Sequence, residues 1–504
     1  MDVSVADLVR ASMRKHPERL ALHARDEQLT YRELARRIAG VRSRLRELGL
    51  DSAPRLGIVT GDDASTYVAI IAAFLSGATY VPLNKKAPLA RNLDIVEDAD
   101  LSAIIAAEPG ELTEAAGLPV VTGFQRAVAE PQVDDAVPAV EDAAYLLFTS
   151  GSTGKPKGVP IDHGSLNRFM TMMLRECGYT FGPDDRFLQM FELTFDLSVV
   201  SLFLPLCVGA SCHIVPDSRI GFVAALKVLR EQRITVALMV PSLLAYVEAH
   251  LETVRLPDLR LSMFCGEALL QPLVEKWSKV VDGRAVHNWY GPTEATIFCM
   301  RYEWSEDRSA NAAVNGVVPI GRPMGDTEAW LIDANGQRVD APGEKGELVL
   351  AGRQLASGYW RSPARTAEAF FKAPGAERPS GYRTGDLCFK NADGDFVYCG
   401  RTDAQVKVDG HRVELGEIEH AVRKVTGRTA VAVVAVPDGR GVVLALFMER
   451  PEIDESSLIS ELKGLLPAYM LPRHIRYLDQ LPLNLNGKFD RPKMRALFLE
   501  AAPA

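Results

Sequence analysis

Residues 145–158 combine residue types that suit the binding of phosphate groups. The apolar stretch 145–148 runs into a segment composed of Gly, Ser, Thr and Lys, namely Thr149, Ser150, Gly151, Ser152, Thr153, Gly154 and Lys155. Glycines let successive backbone N–H groups turn toward one anion, while hydroxyls and lysines add further donors. The spacing fits neither a P-loop nor a dinucleotide-binding fingerprint. Composition by itself leaves a flexible Gly/Ser loop as the alternative.

Asp196 is a second residue that could take part in binding or catalysis, because it lies between Phe195 and the apolar run 197–206. Burying a carboxylate without a partner costs on the order of several kcal/mol. The pattern therefore indicates either a cationic partner for Asp196 or a helix N-cap, a position that aspartate favours. The residues alone leave both interpretations open.

Cysteine and histidine patterns argue against a transition-metal centre or a disulfide framework. The chain has seven cysteines without a CxxC pair, and its nine histidines show no HxxxH or HExxH spacing. An odd cysteine count without paired spacing is typical of a reduced protein without structural zinc. We expect a cytoplasmic location from this pattern.

Charge and hydropathy exclude two classes of partner. The 504 residues include 57 basic and 65 acidic ones, for a net charge of −8. This balance leaves no broad cationic surface for nucleic acid. The longest apolar run, 197–210, is too short to span a bilayer and contains Pro205, and the N-terminus lacks a signal pattern. We expect neither nucleic acid nor membrane as a partner.

The elements that must position these residues follow from hydrophobic periodicity. Leu34, Ile38, Val41, Leu45 and Leu48 form the stripe of an amphipathic helix that stops at Gly49. Short apolar runs then alternate with helical stretches, which indicates parallel βαβ units.

The later part of the chain predicts a change of architecture. A β-rich part with many glycine turns follows residue 330, then a helix at 415–425 and a hairpin of 429–436 with 442–448. The predicted fold is α/β: a large N-terminal domain (1–402) of parallel α/β subdomains plus the β-rich part, and a small mobile α+β C-terminal domain (403–504).

Several ordered segments carry a resemblance that covers essentially the whole chain. Besides the Gly/Ser/Thr/Lys segment, they are 288–294 (Asn-Trp-Tyr-Gly-Pro-Thr-Glu), 382–387 (Tyr-Arg-Thr-Gly-Asp-Leu), 400–407 (Gly-Arg-Thr-Asp-Ala-Gln-Val-Lys) and 486–491 (Asn-Gly-Lys-Phe-Asp-Arg), with supporting matches at 29–34, 77–83 and 346–360. Together they resemble the adenylate-forming (ANL) superfamily. Within it, the chain is similar to stand-alone amino-acid adenylation domains of the nonribosomal peptide synthetase type and to D-alanine–carrier-protein ligases.

The resemblance implies two half-reactions. A carboxylate attacks the α-phosphorus of ATP to give an acyl-AMP and pyrophosphate, and a phosphopantetheine thiol of a carrier protein then attacks the mixed anhydride. The first step brings an anion toward a polyanion, so it needs cations and positioning rather than a covalent nucleophile. ATP and Mg²⁺ are the implied cofactors.

The family's motifs assign a nucleotide role to many residues of this chain. Thr149, Ser150, Gly151, Ser152, Thr153 and Lys155 would hold the β- and γ-phosphates. Thr293 would contact the α-phosphate and Glu294 would ligate Mg²⁺, whose preference for oxygen suits a carboxylate. The remaining nucleotide contacts would come from Gly266, Glu267, Asn288, Trp289, Tyr290, Gly291, Asp386, Tyr398 and Arg401, with Tyr290 stacked on adenine and Asp386 on the ribose hydroxyls.

Lys488 would bridge the substrate carboxylate and the α-phosphate during adenylation. The alternative is a solvated lysine in a turn. Asp403 lies where the family places its hinge, and a residue there can absorb the rotation of the small domain between the two half-reactions. An ordinary surface aspartate is the alternative for Asp403. After the rotation, the face around residues 407–411 would meet the thiol.

The acid to be activated is indicated by the family's pocket positions. Asp196 would bind the α-ammonium group of the substrate, with Phe195 beside it. The pocket wall would be Leu197, Val200, Leu238, Met263, Cys265, Trp289, Ile297 and Phe298, and it offers no second charge. We expect a small neutral amino acid, alanine or glycine first, then proline or valine. Trp289 departs from the small residue expected in D-alanine ligases, and Cys265 is interpreted as wall rather than nucleophile.

Two other functions stay open at this stage. An acyl-CoA synthetase would use CoA in place of the carrier, although it would leave Asp196 unpaired. A catalytically inactive amino-acid or nucleotide sensor would retain the fold without turnover. No phosphopantetheine-attachment pattern follows Lys488 before Ala504, so we expect the carrier protein to act in trans.

Overall fold

Two large sheets flanked by helices build most of the computed structural model. It describes residues 2–25, 27–50, 55–122, 139–149, 156–218, 221–306, 313, 316–372, 378–401, 405–428, 430–438, 441–482 and 489–500.

In chain order, the strands of the described residues are β1 Leu20–Ala24, β2 Glu27–Thr30, β3 Arg55–Thr60, β4 Thr79–Asn84, β5 Ala103–Ile105, β6 Val120–Val121, β7 Ala143–Thr149, β8 Lys157–Asp162, β9 Arg186–Gln189, β10 Ser211–Ile214, β11 Val236–Met239, β12 Leu261–Phe264, β13 Ala285–Tyr290, β14 Met300–Glu303, β15 Arg322–Pro323, β16 Glu328–Ile332, β17 Arg338–Val339, β18 Gly346–Ala351, β19 Phe370–Phe371, β20 Gly381–Lys390, β21 Phe396–Arg401, β22 Gln405–Val408, β23 His411–Glu414, β24 Val431–Pro437, β25 Val442–Glu449 and β26 His474–Leu478.

The α-helices of the same residues are α1 Val5–Lys15, α2 Tyr31–Glu47, α3 Ala64–Leu75, α4 Leu89–Asp98, α5 Glu111–Ala115, α6 His163–Thr171, α7 Leu197–Cys207, α8 Gly221–Glu231, α9 Pro241–Val247, α10 Gln271–Val280, α11 Pro363–Ala369, α12 Leu415–Thr426, α13 Glu455–Lys463 and α14 Arg491–Glu500. A π-helical turn covers Met172–Glu176, and 3₁₀ turns cover Glu248–His250, Thr293–Ala295 and Ala468–Met470.

Local sequence explains the helix predicted at residues 34–48. Thr30 and Glu33 form a reciprocal capping box at the start of α2. The apolar stripe is buried from Leu34 to Leu45, because a spacing of three and four residues places these side chains on one helix face. The helix ends at Glu47, so Leu48 lies just beyond it and is 48% exposed.

The two large sheets are mainly parallel, as the βαβ pattern predicted. One has the strand order β6-β5-β3-β4-β7-β8 and the other β15-β14-β13-β12-β11-β9-β10-β1-β2. Antiparallel pairs lie only at their margins, namely β7 with β8, β1 with β2, and β13 with β14 and β14 with β15, among the strands described. Parallel strands bring their carboxyl ends to one edge, where ligands of such sheets bind.

A third, antiparallel sheet confirms the β-rich part after residue 330. It contains β16 to β21, with β20 pairing both β18 and β21. The C-terminal part follows with the two-stranded hairpin β22–β23 and the sheet β24-β25-β26. The predicted hairpin is confirmed, since β24 and β25 pair in antiparallel register from Val431 with Met448 to Pro437 with Val442.

The described helices include none with the length and apolar character needed to cross a membrane. The most extensive cluster of buried apolar side chains runs from the N-terminal helix into the β-rich sheet, and two further clusters lie in the same large part. A separate cluster packs α12 and α13 against the sheet of the C-terminal part. The candidate site lies between these two bodies.

Candidate functional site

Asp196 lies at the start of α7 and is 4% exposed. It occupies the N-cap position, yet its side chain makes no capping hydrogen bond. The helix-cap interpretation therefore does not explain this residue. Burial raises the pKa of Asp196 to about 6, and a hydrogen bond from Thr293 offsets part of that rise.

The predicted pocket wall is brought together from several elements. Leu197 and Val200 come from the first turn of α7, Leu238 from β11, Met263 from β12 and Trp289 from β13. All are at most 2% exposed, as are Cys265, Ile297 and Phe298, and all eight belong to one apolar cluster. Burial raises the pKa of the Cys265 thiol to about 12, so it lacks the thiolate character that a nucleophile would need.

Two aromatic rings lie side by side among the predicted wall residues. The ring centroids of Trp289 and Phe298 are 4.6 Å apart, and Phe169 packs edge-on at 5.0 Å behind Phe298. The Arg301 guanidinium lies 5.6 Å from the centroid of the Trp289 ring, within the range of a cation–π contact.

The loop that carries Ile297 and Phe298 is held in an unusual conformation. Thr296 and Ile297 both have positive φ, 54° and 73°, which is costly for side chains branched at Cβ. Gln354 stabilises this loop, because its amide donates to the carbonyls of Ala295 and Phe298 at 2.8 and 3.0 Å. The strain is thus fixed by a residue outside the predicted site.

Glu294 is fully buried and surrounded by cations. The Arg412 guanidinium donates to both of its oxygens at 3.0 and 2.9 Å, Tyr359 donates at 2.7 Å, and the Lys157 ammonium lies at 3.5 Å. Burial by itself would raise the pKa of Glu294, but the charges of Arg412 and Lys157 hold it well below its ordinary value. Glu294 is therefore an ionised carboxylate at every physiological pH.

Glu294 fits a magnesium ion as one ligand among several. Glu294 offers a hard oxygen ligand, and no group of three or more His, Cys, Asp or Glu in the described part of the chain could hold a metal by itself. Mg²⁺ is commonly bound by one or two carboxylates together with substrate phosphates. A metal at Glu294 would neutralise phosphate charge and would complete its ligand shell from ATP and water.

The predicted nucleotide residues surround a cavity of about 550 Å³. Its lining includes eight of the residues assigned to the nucleotide, namely Gly266, Glu267, Asn288, Trp289, Tyr290, Gly291, Tyr398 and Arg401. Asp386 lies behind Tyr290, accepts a hydrogen bond from its hydroxyl, and pairs with Arg401 at 2.5 Å. The Asn288 amide donates to the carbonyl of Pro319 at 2.9 Å, which fixes its orientation.

The hairpin 405–414, formed by β22 and β23, reaches into the site from the C-terminal part. The Gly410 N–H donates to Glu267 at 2.7 Å, and the His411 ring lies 5.8 Å from that of Phe195. Gly410 has φ +83°, and a Cβ there would lie 2.7 Å from Val240. Only glycine permits this turn to approach so closely.

Some predicted residues lie outside the described residues. They are Ser150, Gly151, Ser152, Thr153 and Lys155 of the Gly/Ser/Thr/Lys segment, the hinge residue Asp403 and the lysine Lys488. Thr149 is described at the end of β7, where its hydroxyl is buried without a hydrogen-bond partner. A hydroxyl at a strand end that lacks a hydrogen-bond partner is suited to form a hydrogen bond with a ligand.

Sequence reasoning missed four residues of the site. Lys157 and Tyr359 lie in segments that were singled out, but neither received a role. Gln354 and Arg412 carried no local signal, since an isolated Gln or Arg in a polar stretch is ordinary. Their contacts to Phe298 and Glu294 span 56 and 118 residues of sequence, so only the folded chain brings them together.

Comparison with known sequence families gives matches in both parts of the chain. The family described as AMP-binding enzyme matches residues 9–360, and the AMP-binding enzyme C-terminal domain matches residues 417–488.

Individual relatives agree with these matches. Tyrocidine synthase 1 of Brevibacillus parabrevis is 31% identical over 97% of this chain, which spans only 44% of that protein. Other curated relatives are longer still, and the chain spans between 6% and 13% of three of them. Zwittermicin A synthase ZmaJ of Bacillus cereus is 32% identical, with 99% of this chain and 95% of ZmaJ covered.

A solved structure resembles the whole chain. The crystal structure of the Vibrio cholerae adenylation domain AlmE in complex with glycyl-adenosine-5'-phosphate superposes with a TM-score of 0.86. The identity is 27%, and the match covers 99% of this chain and 98% of AlmE.

Proposed function

Because the chain belongs to the family of AMP-binding enzymes, as an adenylation domain of the nonribosomal peptide synthetase type, we propose that it activates a small neutral amino acid. The reaction consumes ATP, releases pyrophosphate and produces an aminoacyl-AMP. The aminoacyl group then passes to the phosphopantetheine thiol of a carrier protein.

The observation that carries this proposal is the carboxylate of Asp196. It is 4% exposed, lies next to an apolar wall and does not cap its helix. A substrate ammonium group would provide the cation that a buried carboxylate requires. A fatty or aryl acid would leave this carboxylate unpaired, which disfavours an acyl-CoA synthetase.

The proposed side chain is that of glycine or alanine. Trp289 and Phe298 fill the pocket with rings 4.6 Å apart, and the wall lacks a second charge. AlmE, whose crystal structure contains glycyl-adenosine-5'-phosphate, lends support to glycine. Proline and valine rank lower because the pocket would have to accommodate additional methylene or methyl groups.

The roles of the C-terminal part belong to the proposal as well. Lys488 delivers positive charge during adenylation, Asp403 is the hinge at a boundary between residues 402 and 403, and the hairpin 405–414 occupies the site during transfer. The carrier protein is proposed to be a separate chain. The 95% coverage of ZmaJ supports an adenylation unit of this size.

Amino-acid-dependent ATP–pyrophosphate exchange tests the proposal directly. A panel of amino acids should give exchange with glycine or alanine above all others, and only slow exchange with acetate or propionate. Absence of exchange with every amino acid would contradict the proposed activity and favour an inactive sensor. Thioester formation with CoA but not with a phosphopantetheinylated carrier would instead identify an acyl-CoA synthetase.

A further inference from the structure

Glu294 connects the large part of the molecule with the hairpin 405–414. The carboxylate is fully buried, whereas its partner Arg412 is contributed by β23 of the hairpin and is 15% exposed. The contact therefore forms only when the hairpin lies in the site. Lys157 at 3.5 Å and Tyr359 at 2.7 Å come from the large part, so they stay near Glu294 in any arrangement of the hairpin.

Arg412 occupies the ligand positions that a metal would need. Its guanidinium nitrogen lies within hydrogen-bond distance of both carboxylate oxygens, at 3.0 and 2.9 Å. Mg²⁺ coordinates oxygen at about 2.0–2.1 Å and retains a rigid octahedral shell of ligands. A hydrated ion and the guanidinium cannot share the same side of one carboxylate, since they would overlap and repel each other.

We propose that Arg412 and Mg²⁺ are alternative cationic partners of Glu294, so that the hairpin docks only after the metal has left with pyrophosphate. This inference rests on the proposed function and adds a positioning residue to it. Arg412 keeps a buried carboxylate neutralised after the metal leaves, because an ionised group without a partner in such surroundings is strongly disfavoured.

The remaining contacts of Arg412 support a positioning role. Its Nε donates to Gln405 at 2.7 Å, which links both strands of the hairpin to the same guanidinium. A planar guanidinium with fixed donors suits this double task better than an ammonium group. A second ion pair between the two bodies, Arg91 with Glu417, is also buried. Arg412 therefore contributes to docking, and the pair of Arg91 with Glu417 contributes as well.

The test measures docking by the distance between spin labels. Labels at Glu114→Cys and Lys463→Cys, two exposed positions on α5 and α13, are placed in a Cys399→Ser background because Cys399 is the exposed cysteine of the described residues. Pyrophosphate with MgCl₂ should lower the docked population about fivefold, whereas pyrophosphate with a chelator should leave it unchanged. A docked population that is the same with and without Mg²⁺ would overturn the proposal.

Variants of Arg412 provide the second arm of the test. Arg412→Gln should lower the ligand-free docked population about tenfold, Arg412→Lys should restore part of it, and the exposed Lys424→Gln serves as the matched control with wild-type docking. Docking of Arg412→Gln at the wild-type level would refute the role. If Arg412→Gln fails to fold, Arg412→Lys and the metal response of the wild-type chain decide.

Separate measurement of the two half-reactions distinguishes failure of this inference from failure of the proposed function. Arg412→Gln should slow transfer from pre-formed aminoacyl-AMP about 30-fold while changing ATP–pyrophosphate exchange by less than about threefold. Equal loss of both steps would contradict a role in docking. Absence of exchange in the wild-type chain would overturn the proposed function instead, and the metal-dependent distance change would still report on Glu294.

Discussion

At the scale of single residues, the charge of Asp196 is decisive for the proposed activity. A carboxylate that is 4% exposed and not used as a helix cap is costly unless a ligand compensates for it. Glu294 poses the same problem, and here the structure shows the compensation in Arg412 and Lys157. Asp196 lacks an equivalent ion pair among the described residues, which is the physical reason for expecting a cationic substrate group there.

The raised pKa of Asp196 predicts a pH dependence of substrate binding. Burial raises this pKa to about 6, so the side chain is neutral below that pH and ionised above it. The ammonium group binds the ionised form. The KM for the amino acid should therefore fall about tenfold per pH unit as the pH rises toward 6, and should level off above 7.

Steady-state exchange kinetics between pH 5 and 8 measure this dependence. A slowly reacting des-amino acid is the control, since its KM should lack the same inflection. A KM for the amino acid that stays constant through pH 6 would show that Asp196 does not bind the ammonium group.

At the scale of elements, the hairpin 405–414 and the loop around Thr296 shape the site. The loop retains two residues of positive φ because Gln354 binds its carbonyls. The hairpin enters through Gly410, where a side chain would collide with Val240. Both elements contain residues of positive φ, namely Thr296 and Ile297 in the loop and Gly410 in the hairpin. This backbone geometry places side chains at the strand ends.

Substitution of Gly410 should affect one half-reaction selectively. In Gly410→Val, the branched side chain clashes at 2.7 Å with Val240 and must adopt φ +83°, which disfavours insertion of the hairpin. Transfer to the carrier should fall about 100-fold, while exchange changes by less than about threefold. Single-turnover measurements with pre-formed aminoacyl-AMP separate the two steps, and Gly427→Ala, at an open helix end, is the matched control. Loss of exchange to the same extent would contradict this role of the hairpin.

Local patterns predicted the elements well because each is determined by nearby residues. The stripe from Leu34 to Leu45 and the Thr30 cap define α2, and β-branched runs define the hairpin of β24 and β25. Contacts such as Arg412 with Glu294 have no local signal, since 118 residues separate them. The family's motifs singled out Glu294 and Asp196. The hydrogen bonds of Gln354 to the loop carbonyls are seen only in the folded chain.

At the scale of the whole molecule, the proposed function requires one site to accommodate two different groups of residues from the C-terminal part. The described arrangement places Arg412 and Gly410 at the site, whereas Lys488 lies outside the described residues. The two half-reactions differ in their need for charge, since adenylation joins two anions and transfer does not. A rotation at Asp403 would exchange one set of residues for the other.

Removal of the lysine should therefore separate the two reactions. Lys488→Ala should lower ATP–pyrophosphate exchange about 100-fold, because the variant loses the cation that we propose beside the α-phosphate. Transfer from pre-formed aminoacyl-AMP to the carrier should stay within about threefold of the wild type. Lys493→Ala, at an exposed position of helix α14, is the control for charge removal in the same part of the chain. Equal loss of both steps would contradict a rotation between them.

The most direct measurement compares an amino acid with its des-amino analogue in wild type and Asp196→Ala. ATP–pyrophosphate exchange gives kcat/KM for glycine and acetate, or for alanine and propionate. The wild type should prefer the amino acid strongly, and Asp196→Ala should reduce that preference about 100-fold, mainly through KM. An unchanged preference in Asp196→Ala would contradict the binding of a substrate ammonium group by Asp196.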